Sequence, residues 1–141
     1  SIFNSNGKEA PFSIEQSENL NAPCGVFCLE DGGTIVGDRS EFLLKHFDAA
    51  GKLINQVQQE GLGFDEIYFL ACDPKHGIFG SDFWNNQIIH LNNNLEVVNI
   101  YRKQGNRTGG LGKTAGLSIH NGRLAVSNFD GRKVQVFNLP S

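Results

Sequence analysis

The sequence has no methionine, one tryptophan, two tyrosines, four prolines and three cysteines among its 141 residues. Without Met, Ser1 reads as the start of a processed chain or of a piece of a longer one. No apolar run approaches the roughly 18 residues that span a bilayer, which excludes a membrane helix and membrane partners of that kind. A basic-then-apolar leader is lacking too. Helical periodicity is missing along the whole chain, and with it every helix-built repeat. Basic charge is in short supply: a net charge of −3 and a pI near 5.7 provide no global field for nucleic acid. Cys24, Cys28 and Cys72 are an odd number, and they lack the clustered spacing of a zinc site. They predict free thiols and a cytoplasmic protein. Cys28 and Cys72, at one phase of the pattern below, are expected as small buried side chains on inner strands.

What is abundant is glycine (17) and phenylalanine (11), the mixture that many short strands and tight turns require. Hydrophobic residues at 39% and charged residues at 19% suit one folded domain. One phrase recurs: a strand of small residues ending in Asp or Asn, a polar bend, then an alternating strand ending in Phe or Leu. It reads IVGDRSEFLLKHFD at 35–48, FGSDFWNNQIIHLN at 79–92 and AVSNFDGRKVQVFN at 125–138. A truncated copy, SIFNSNGK, opens the chain, so Phe3, Phe47, Leu91 and Phe137 recur at spacings of 44, 44 and 46. Self-similarity at such a period is the signature of a repeat architecture.

Each unit resolves into four strands. In the first they are predicted at Cys24–Leu29, Thr34–Gly37, Glu41–Phe47 and Lys52–Val57, separated by Asp/Asn/Gly turns such as Glu30-Asp31-Gly32-Gly33. Four short strands per unit make a β-propeller blade. The units are expected at about 1–20 (partial), 21–63, 64–110 and 111–141 (partial), and Pro11–Glu15 is expected to be a fourth strand.

The chain resembles the NHL repeat family. The resemblance rests on Pro23-Cys24-Gly25-Val26, Asp38, Phe47-Asp48 and Gly51-Lys52 in one unit. In the next it rests on Asp82 and Asn85-Asn86-Gln87-Ile88, and in the last on Gly116, Asn128, Arg132-Lys133-Val134 and Phe137. The second unit departs from the pattern by lacking the opening Pro and Gly, and the first has Phe42 and Leu43 where a basic residue is usual. The resemblance implies an all-β propeller that binds protein partners or structured RNA. Related propellers that hold an axial metal act as lyases or hydrolases. About three blades do not close a ring, so a homodimer forming a six-bladed ring, or half of a longer propeller, is expected.

Function in propellers sits on end loops. The bends and crossovers expected on one face carry Arg39, Phe83, Trp84, Arg102, Lys103, Arg107, Lys113 and Phe129. Cations beside aromatics suit a protein hot spot or a stacked, phosphate-bearing chain. The plainer alternative is that Trp84 packs on the next blade and the basic loop is solvated. Asp38, Asp82 and Asn128 are expected to cap the bends by accepting backbone N–H groups. His46 and His90, in phase on third strands, are expected to be structural, with His76 and His120 in turns at the opposite end. No nucleophile–base arrangement emerges, so no catalytic residue, cofactor or metal ligand is assigned. The expected role is a non-catalytic binding scaffold, with a metal-dependent lyase or hydrolase as the alternative.

Overall fold

In the first complete unit, alternation and β-branched residues run in short stretches between Asp/Gly turns, and each stretch becomes a strand. The computed structural model describes Asn6 and residues 20–39, 43–58, 66–102 and 113–141. Its strands are β1 (Pro23–Cys28), β2 (Thr34–Asp38), β3 (Leu43–Phe47), β4 (Leu53–Gln58), β5 (Ile67–Asp73), β6 (Gly77–Asp82), β7 (Gln87–Leu91), β8 (Val97–Arg102), β9 (Thr114–His120), β10 (Arg123–Asn128) and β11 (Lys133–Asn138). The predicted strands of the first unit agree to within a residue, except that β3 begins at Leu43 and residues 40–42 lie outside the described set. The predicted strand Pro11–Glu15 and the crossover 59–63 also lie outside it.

The strands form three antiparallel sheets, ordered β1-β2-β3-β4, β5-β6-β7-β8 and β9-β10-β11. These are the blades. β5 packs against β1 and β2, and β9 against β5 and β6, so the first strands of successive blades lie side by side. Turn chemistry repeats as well. Asp48 Oδ1 accepts the N–H of Ala50 and Lys52, Asp73 Oδ1 that of Lys75 and His76, and Asn92 Oδ1 that of Asn94 and Glu96, all at 2.9–3.0 Å. Gly77 closes the β5–β6 turn at φ 91°, and a Cβ there would collide with the Leu91 carbonyl oxygen.

The core is the space between blades. Ile35, Leu44, Ile67, Leu70, Ile78 and Leu91 fill the first gap. Phe79, Ile88, Leu124 and Val126 fill the second. Among the described residues, blade 2 is covered on both sides and blade 3 on one. Ile88 is 2% exposed, whereas Val134, at the same repeat position, is 67% exposed, and Val136 is 57% exposed. Beyond β11 no strand pairs among the described residues, and a cleft of about 550 Å³ opens between β8 and the C-terminal residues.

Three charged side chains are buried among the described residues: Asp38, Lys45 and Asp82. Lys45, with almost no exposed surface, sets its ammonium 3.4 Å from Asp38 Oδ2 at a repeat position where blade 2 has Ile89. Asp38 also accepts the N–H of Asn21 (2.7 Å) and Ala22 (2.9 Å). The expected burial of the phased cysteine pair needs correction. Cys72 is half-buried, but Cys28 ends β1 beside a turn and is exposed.

Candidate binding face

The inner strands break their alternation at corresponding places. β1 shifts register between Pro23 and Gly25, and β5 between Ile67 and Phe69, so Cys24 and Tyr68, 44 residues apart, sit at matching bulges. A bulged residue leaves the period-two pattern and re-aims its side chain. Cys24 uses this to bond across blades: its thiol donates to the carbonyl oxygens of Ile67 (3.2 Å) and Gly37 (3.4 Å). Burial pushes this thiol up, against the opposing pull of the Gly25 N–H and Arg39.

Tyr68 belongs to a cluster of rings at the loop end. Its ring centroid lies 6.0 Å from that of Phe83, which lies 5.3 Å from Trp84 and 6.5 Å from Phe129. Such edge-to-face spacings are favourable for aromatic pairs. The Lys113 ammonium stands over the rings of Phe83 (5.5 Å) and Trp84 (5.8 Å), and the Arg39 guanidinium over Tyr68 (5.3 Å). Glu66 ties the group together: its carboxylate accepts from Trp84 Nε1 at 3.1 Å and pairs with Arg39 Nε at 3.4 Å. Backbone bonds fix the supports. The Arg39 N–H donates to the Ala22 carbonyl, the Phe129 N–H to the Lys113 carbonyl, and the Lys113 N–H to Asp130 Oδ1.

Of the sequence-predicted residues, Arg39, Phe83, Trp84, Lys113 and Phe129 therefore come together. Arg102 does not. It ends β8, and its Nε donates to Gln87 Oε1 at 2.9 Å, while Gln87 Nε2 donates to Asp82 Oδ2 at 2.8 Å. The buried carboxylate of Asp82 recruits this chain of bonds, and Arg102, itself exposed, ends it. Lys103 and Arg107 lie outside the described residues. Trp84, 58% exposed, leans on Tyr68 and Glu66 of its own blade's first strand and lead-in, and the next unit meets it through the Lys113 ammonium over its ring. Sequence reasoning missed Tyr68, Glu66 and Asp130.

The repeated acid or amide caps differently in each unit. Asp82 receives the Asn85 N–H and amide of its own bend. Asp38 accepts the N–H groups of Asn21 and Ala22, which lead into β1, and Asn128 donates to Gln135 Oε1 at 2.6 Å. His90 is structural: it stacks on Phe79 and bonds the His76 carbonyl. His76, in its turn at the far end, bridges Asp73 Oδ1 (2.9 Å) and the Pro140 carbonyl (2.8 Å). Among the described residues no three His, Cys, Asp or Glu side chains converge as metal ligands.

No protein-family model matches the sequence, and no curated protein matches it. Solved structures do. A chain of the nidogen/laminin complex superposes with a TM-score of 0.65 at 13% identity, covering 86% of this chain and 44% of that one. Virginiamycin B lyase from Staphylococcus aureus gives 0.60 at 14% identity, covering 85% and 42%. The β-propeller domain of Cps50 (Swd1) from Myceliophteria thermophila gives 0.59 at 11% identity, covering 87% and 38%. This chain thus spans less than half the length of each. The likeness is one of fold: the chain is an all-β propeller of four-stranded blades and holds about three of them.

Proposed function

We propose that this propeller, of NHL type, is a non-catalytic binding scaffold that engages a protein partner through its loop-end aromatic cluster. One observation carries the reading. Trp84 and Phe129 are 58% and 73% exposed, yet both are held against Phe83 and flanked by Arg39 and Lys113. A rigid, exposed Trp beside cations is the composition of an interface hot spot. The nidogen/laminin complex, a protein–protein assembly, accords with a partner of that class. Completion of a six-bladed ring by a second copy belongs to the same proposal, supported by the exposed Val134–Val136 face.

Trp84 is the only tryptophan, so intrinsic fluorescence reads this face without labelling. Binding partners recovered on the immobilised protein are expected to shift its emission. Binding is expected to weaken roughly 30-fold or more in Trp84→Phe/Phe129→Ala, the loss of a hot-spot pair. Partners retained in full by that variant would refute the face. RNA in the recovered fraction, released between low and high salt, would replace the protein reading with RNA recognition. Sedimentation at 15.5 kDa, rather than twice that mass, would remove the homodimer.

A further inference from the structure

The two gaps between blades are closed differently at the end opposite the aromatic cluster. Between blades 2 and 3, the rings of Phe79 and His90 stack at 4.2 Å with planes 10° apart. His90 Nε2 meets the His76 carbonyl, and His76 reaches the Pro140 carbonyl, so side chains bridge the turn end of that gap, and its cleft of about 550 Å³ opens beside them toward β8. Forty-four residues earlier the repeat substitutes Ile35 for Phe79 and Gly32 for His76, while His46 keeps the place of His90. Two rings are gone, and a cavity of about 370 Å³ stands between blades 1 and 2. Its walls include Phe27, Leu29, Ile35 and Ile78.

That volume falls within the range of small-molecule sites, about 300–1,000 Å³, which are mostly apolar with a few placed polar groups. The carboxylates of Glu30, Asp31 and Asp73 line the cavity together with the His46 imidazole and Asn93, and no Lys or Arg does. Asp31 Oδ1 is occupied by the Gly33 N–H, and Asp73 Oδ1 by the Lys75 and His76 N–H groups and the His76 ring. The turns thus anchor each carboxylate through one oxygen, and the second oxygen of each is unengaged among the described residues. Burial raises the Asp73 carboxyl, but the hydrogen bonds from His76 and Lys75 outweigh it and hold the group below its ordinary range.

We propose that the cavity between blades 1 and 2 is a binding site for a small molecule with an apolar body and a protonated amine. The apolar part occupies the space that Phe79 and His76 fill in the next gap, and the ammonium meets the carboxylates at the mouth. This site is separate from the loop-end aromatic cluster.

Three matched probes test it: benzylamine, benzyl alcohol and benzoate, followed by ligand-observed NMR and by protection of the cavity-lining Cys28 thiol from iodoacetamide. Benzylamine is expected to bind wild-type protein, to slow Cys28 alkylation, and to bind at least roughly tenfold better than benzoate. Ile35→Phe restores the side chain of the next gap and is expected to abolish binding. Should that variant fail to fold by circular dichroism, Glu30→Lys alters only an exposed charge at the mouth and is expected to weaken benzylamine roughly tenfold. Absence of benzylamine binding to wild type, equal binding of benzoate, or binding unchanged in the folded variants would each overturn the proposal.

Discussion

Removing Asp38 tests how the buried lysine is held. Asp38→Ala deletes the acceptor of the Lys45 ammonium at 3.4 Å and of two backbone N–H groups, all against a fully buried lysine. Breaking a buried pair from one side costs about 3–5 kcal/mol, because the surviving charge keeps its desolvation penalty. At about 2.1 cal/mol/K per residue, a chain of this length has an unfolding entropy near 0.3 kcal/mol/K, so a loss of about 4 kcal/mol lowers Tm by roughly 13 °C. In urea, with a slope of about 2 kcal/mol/M, the midpoint moves by about 2 M. Lys45→Met also breaks the pair from one side, but Asp38 keeps the Asn21 and Ala22 N–H donors, so it is expected to cost about 1–2 kcal/mol, less than Asp38→Ala. The double variant Asp38→Ala/Lys45→Met is expected to recover at least about 2 kcal/mol of the single loss. A cost below about 1 kcal/mol for Asp38→Ala, or a double variant as unstable as the two single losses added together, would refute the reasoning.

Two further outcomes follow from the turns and thiols. Gly77→Ala forces a side chain into a φ of 91° and against the Leu91 carbonyl, and is expected to cost about 2 kcal/mol or more in urea melts, with an unchanged slope. Burial pushes the Cys72 thiol up to about 12, well above the ordinary thiol range. At pH 8 its thiolate fraction should be about 1,000-fold lower than in the unfolded chain, and iodoacetamide alkylation of the native protein, followed by mass spectrometry, should leave Cys72 unmodified long after it reacts in denaturant.

The blades were legible because the repeat is written in side chains whose job is local. Asp48, Asp73 and Asn92 mark turns, Phe47 and Leu91 end third strands, and Phe137 stands one residue before the end of its own. Trp84 and Phe129 were legible as candidates for the loop face because they stand in bends where no strand pattern claims them. Tyr68 was hidden for the opposite reason. It lies inside the continuous run IYFLAC, where strict alternation assigns every residue to one face or the other. Only the bulge between Ile67 and Phe69 releases it toward the loop end, and a bulge depends on pairing across the sheet that the linear string does not display. Arg102 failed in the converse way. It was assigned to the basic crossover loop, but strand β8 extends through it, and Gln87 draws its guanidinium into the Asp82 network. The exposure of Cys28 likewise reflects where β1 stops, a boundary that the repeat phase leaves open by a residue.

The matching bulges at Cys24 and Tyr68 have a consequence for how such a scaffold diversifies. Cys24 spends its place outside the alternation on tying blade 1 to the Ile67 carbonyl of blade 2, whereas Tyr68 spends it on the loop face, so changing Tyr68 rewrites that face while Ile35, Ile78 and their neighbours stay packed. A combinatorial library at position 68 would therefore sample new recognition surfaces on an unaltered frame.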